Sequence, residues 1–124
     1  MVTYYEYFKN ILTKILLSYD TLLKLDDKPG DLDIIKKEIL KINSFFHVLV
    51  NKIDAENYQS NDLLDLKSKF QYYLTNYSFE KEINTLALLY SDDPNRLKNL
   101  RLKILESLTD KKIINNIKYI TEKL

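Results

Sequence analysis

Apolar residues recur along this chain at intervals of three and four, the spacing that gathers side chains on one side of an α-helix. From Tyr4 to Leu25 they fall at Tyr5, Phe8, Leu12, Ile15, Leu16, Tyr19, Leu22 and Leu23, while Glu6, Lys9, Thr13, Asp20 and Lys24 lie largely outside that stripe. Thr3 and Glu6 stand ahead of it in capping-box register. The run Asp26-Asp27-Lys28-Pro29-Gly30 ends the first helix in a turn. Asp31 is placed to cap a second helix, and Asp33 adds a favourable charge to its first turn. Leu32, Ile35, Ile39, Ile42, Phe46, Leu49 and Ile53 then form a heptad-like seam, the pattern of helices packed at shallow angles. Ile34, Phe45 and Val48 make a second stripe, about 100° or more around the helix. Two stripes mark either the central helix of a bundle or one half of an interface. The central position, with the second stripe buried, is the expectation.

Polar residues from Asp54 to Asn61 connect to a third helix, faced by Leu63, Leu66, Phe70, Tyr73, Leu74 and Tyr77. The register breaks at Asn76-Tyr77-Ser78. Either Ser78 caps a short fourth helix carrying Phe79, Ile83, Leu86 and Tyr90, or one kinked helix continues through. Ser91-Asp92-Asp93-Pro94 is the sharpest boundary, with Asp93 suited to the N-cap and Pro94 to the first helical position, where its missing N–H costs nothing. Leu97, Leu100, Ile104 and Leu108 face a fifth helix. After a slip at Thr109-Asp110, Ile113, Ile117, Ile120 and Leu124 carry a sixth. These patterns predict an all-α fold, a single compact helical bundle of five or six helices, with residues 1–124 forming one domain. Its predicted core includes Leu12, Ile15, Ile39, Ile42, Phe46, Phe70, Ile83, Leu100, Ile104 and Ile117.

Composition points the same way. A chain of 124 residues that is 45% hydrophobic can bury a core, and one glycine with two prolines cannot supply the turns of a sheet protein. The absence of cysteine removes disulfides, thiolate metal sites and cysteine nucleophiles, and it favours a reducing compartment. No secretory pattern and no apolar run long enough to span a bilayer is visible, so a cytoplasmic protein without membrane insertion is expected.

Candidate chemistry is sparse. His47 is the only histidine, and its neighbours at helical spacing are Asn43, Ser44, Val50 and Asn51, none of them a metal ligand partner. Gly30 stands alone, so neither a phosphate-cradling loop nor a nucleophile elbow is encoded. Asp27 and Glu38 have the separation of the first and twelfth positions of a calcium loop, but Pro29 takes the third position and Leu32 the place of the required glycine. No enzyme activity, cofactor or metal is expected.

The net charge is only +1, yet it is unevenly spread. Residues 94–124 hold eight basic and three acidic side chains, a net of +5, whereas residues 61–93 hold three basic and six acidic, a net of −3. Arg96, Lys98, Arg101 and Lys103 form the candidate basic surface, which would suit nucleic acid or an acidic protein. They divide between the two edges of their helix's apolar stripe, however, as stems lying along a core-facing side would. Tyr7, Tyr58, Tyr72 and Tyr119 fall outside the main stripes and suit an interface. The expected function is non-enzymatic binding of another protein or self-association, as an inhibitor or immunity-type factor, an adaptor or a small subunit. Ile34, Phe45 and Val48 are its candidate interface. The alternative is nucleic-acid association through residues 94–124.

Overall fold

Capping and backbone geometry decide where each helix stops in the computed structural model, which describes residues 4–28, 30–56, 61–89, 93–109 and 112–123. The helices are α1 (Tyr4–Leu23), α2 (Asp31–Glu56), α3 (Asn61–Asn76), α4 (Glu80–Leu89), α5 (Pro94–Thr109) and α6 (Ile113–Lys123), and no strand occurs among the described residues. They form one all-α bundle. The long helix α2 packs against α1, α3, α4 and α5, so it holds the central position that its two stripes implied. Helix α6 closes the bundle against α1 and α3 as well as α5.

The heptad seam of α2 is wholly buried, as are all ten residues predicted for the core. Where α2 meets α3, Phe46 stacks on Phe70 with ring centroids 4.2 Å apart, and Tyr73 meets Phe46 edge-on at 5.1 Å. Such aromatic pairs add to the gain from burial alone. The Tyr73 hydroxyl and Asn43 Oδ1 are buried and have no hydrogen-bond partner among the described residues. Burial pushes the Tyr73 phenol well above its ordinary range, because the phenolate would be desolvated.

The start of α5 follows expectation. Asp93 Oδ1 accepts the amides of Asn95 at 3.0 Å and Arg96 at 3.2 Å, and its carbonyl accepts that of Leu97. Other ends differ. Asp31 does not cap α2 from outside; it sits in the first turn, and its carboxylate reaches back to accept the Lys28 amide at 3.1 Å. Ser78 does not cap α4 either. The carbonyl of Phe79 takes the first bond of that helix, from the Ile83 amide, while Ser78 and Phe79 both adopt positive φ, 47° and 61°. That double left-handed step separates α3 from α4, so the kinked continuous helix is not formed. The Ser78 carbonyl accepts from Asn43 Nδ2 at 3.0 Å, which ties the break to α2. At the slip after α5, Thr109 is the last residue of that helix, and its hydroxyl donates to the carbonyls of Leu105 and Glu106. The expectations for Thr3, Tyr58, Tyr90, Asp110 and Leu124 lie outside the described residues.

Candidate interaction surface

Being central does not close α2 on all sides. The predicted second stripe is only partly covered: Ile34 keeps 37% and Val48 39% of its surface exposed, and Phe45 is half-buried against the core. The expected burial of this stripe therefore fails. Helices α1, α3, α4 and α5 all pack against α2, yet none of them covers this stripe completely. At the far end of the stripe, Lys52 Nζ lies 5.6 Å from the Tyr7 ring centroid, a cation–π contact between α2 and α1.

Next to the stripe, α2 presents a depression of about 490 Å³ lined by Asp33, Lys36, Lys37, Leu40, Lys41, Ser44 and Phe45. Leu40, with 47% of its surface exposed, sits among the lysines. Periodicity reasoning passed over it, because it belongs to neither stripe. A lone leucine flanked by Lys36, Lys37 and Lys41 on a polar helix face was the available signal. Lys41 Nζ lies 3.4 Å from Glu38 Oε1, whose side chain is almost covered. His47 is exposed on the same helix.

The candidate basic surface comes apart at Arg101. Its Nε and Nη2 donate to the two carboxylate oxygens of Asp27 at 2.7 and 3.0 Å, and its Nη1 donates to the carbonyls of Leu22 and Leu23 at 3.4 and 3.5 Å. The guanidinium thus closes the C-terminal end of α1 and pins α5 to the α1–α2 turn. The Asp27 hydrogen bond, joined by the charges of Asp27, Asp26 and Asp31, raises the pKa of Arg101 further against the opposing effect of burial. Asp27, at the first position of the calcium-loop spacing, is thereby held by Arg101, and Asp31 by the Lys28 amide. Arg96 Nε lies 3.5 Å from Asp93. Lys98 and Lys103 are exposed and make no ion pair among the described residues. Arg101 is therefore removed from any docking surface.

A second concave region runs between α4 and α5, where hollows of about 550 and 450 Å³ share Glu82 and Lys103. Phe79, Ser107, Leu86 and Leu100 form its buried floor. Its rim alternates Lys81, Arg96 and Lys103 with Glu82 and Glu106, so its charges largely compensate one another. Among the described residues no group of three or more His, Cys, Asp or Glu side chains is placed to hold a metal ion, and no helix is long and apolar enough to cross a membrane. No protein-family model, curated protein or solved structure matches the chain.

Proposed function

We propose that this protein acts by binding another protein through the outward face of α2, and performs no chemistry of its own. The observation that carries this reading is that the most thoroughly packed helix of the bundle still leaves Ile34, Leu40 and Val48 exposed and Phe45 half-covered. Apolar side chains gathered on one rigid element cost solvation when free and return it on docking. An inhibitor, an adaptor or a small subunit of an assembly each works in this way, from a cytoplasmic location. Nucleic-acid binding has less support, since Arg101 is engaged within the fold.

Capture from the native host tests the reading, with wild type compared against Leu40→Asp. Leu40 is exposed, so the substitution is expected to leave the fold intact, which an unchanged melting temperature checks. A protein recovered with the wild type and lost with the variant is the expected result. Identical recovery with both, or recovery of nucleic acid alone, would overturn it.

A further inference from the structure

The depression on α2 has a sign as well as a shape. Lys36, Lys37 and Lys41 surround Leu40 and Phe45, against the single acid Asp33 in the lining. Lys41 is engaged by Glu38, but Lys36 and Lys37 make no ion pair among the described residues. The surface continues beyond Leu40 into the seam with α4, where Lys36 and Leu40 also line a hollow of about 190 Å³ with Ile39, Ile83, Asn84 and a second acid, Glu80, so the excess of positive charge lies on the Lys37 and Lys41 side of Leu40. From Asp33 to Phe45 it follows α2 for about 18 Å, the length of some three helical turns.

Building on the protein-binding reading above, we infer that the occupant of this face is an acidic amphipathic helix of a partner protein. A helix satisfies its own backbone, whereas a docked strand would need a sheet edge, and the described residues form no strand. Its apolar stripe enters between the lysines onto Leu40 and Phe45, and its flanking carboxylates meet Lys36 and Lys37. A second copy of this chain does not fit, because a two-fold interface centred here would set these lysines against their own counterparts. A phosphate backbone leaves Leu40 and Phe45 without apolar partners.

The probe is a synthetic helix-stabilised peptide of about 16 residues with a leucine stripe and glutamate flanks, titrated into the ¹⁵N-labelled full chain. A matched peptide carries lysine in place of each glutamate. The acidic peptide is expected to shift the amides of Lys36 through Phe45 saturably and to bind more weakly as salt rises. It should bind roughly tenfold more weakly to Lys36→Glu combined with Lys37→Glu, and the lysine peptide should leave these amides unmoved. Both lysines are exposed, and an unchanged melting temperature confirms that the double variant folds. Should it not fold, the salt titration and the peptide pair on wild type decide alone. Equal binding of both peptides, shifts confined to other helices, or no saturable binding would overturn the inference. Binding to phosphatidylserine vesicles without peptide binding would overturn it in favour of a membrane surface. A captured partner that is lost with Leu40→Asp but indifferent to salt and to the lysine reversals would overturn the acidic helix while leaving the protein-binding reading in place.

Discussion

At Arg101 a guanidinium side chain with 11% of its surface exposed meets a carboxylate covered to the same degree, so neither group keeps enough water to replace the other. Removing one partner strands the second in a poorly hydrated place. Arg101→Met is expected to cost about 3 kcal/mol in urea-monitored unfolding, and Arg101→Met with Asp27→Asn less than the sum of the two single changes. Additivity would show that the pair is not coupled. This role was hidden in the sequence because 74 residues separate the partners, and local periodicity reports only which edge of α5 a residue occupies. Tyr73 presents the opposite problem, a buried hydroxyl with no acceptor among the described residues. Its folded pKa lies above the unfolded value of about 10, so its contribution to stability is full below that pH and is lost as pH rises beyond it. Tyr73→Phe keeps the ring contact with Phe46 and removes the orphan. Its melting temperature should equal or exceed that of wild type at neutral pH, and should fall less between pH values of about 9 and 11.

Among the elements, the helix interiors were far more legible than their ends. Each interior is set by a stripe that only one backbone period can gather, whereas ends are settled by single hydrogen bonds. Asp93 and Pro94 were readable because both signals concern adjacent residues. The α3–α4 break was not, since the Ser78 carbonyl is held by Asn43, a whole helix earlier in the chain. Ser78 at a φ of 47° also bears a side chain in a region that favours glycine. Ser78→Gly retains the carbonyl that Asn43 holds, and is expected to raise stability by about 0.5–1 kcal/mol, read as a higher melting temperature. A drop would mean that the break is not strained. The exposed part of α2 was half legible. Ile34, Phe45 and Val48 stood out as a stripe, but their partial coverage depends on how the neighbouring helices are arranged around α2, which no single-helix pattern encodes.

For the whole molecule, the bundle converges on α2. Ile42, fully buried in its seam, should cost about 2–5 kcal/mol when cut to alanine, and a loss below about 1 kcal/mol would place that seam outside the core. Leu40→Asp, on the outward side of the same helix, should leave thermal stability nearly unchanged, so this pair of variants separates what holds the fold from what faces a partner. The two short helices differ in a parallel way. Helix α6 lays Ile113, Ile114, Ile117 and Ile120 into the core and touches both α1 and α3, whereas α4 buries only Ile83 and Leu86 along its length. Opening α6 therefore uncovers the first and third helices together, which is nearly the same event as unfolding everything. Opening α4 disturbs little beyond itself. Amide protons should report this as two exchange regimes, with α6 protected to the global limit and α4 trading its protons for deuterium through small excursions, sooner and with little sensitivity to denaturant.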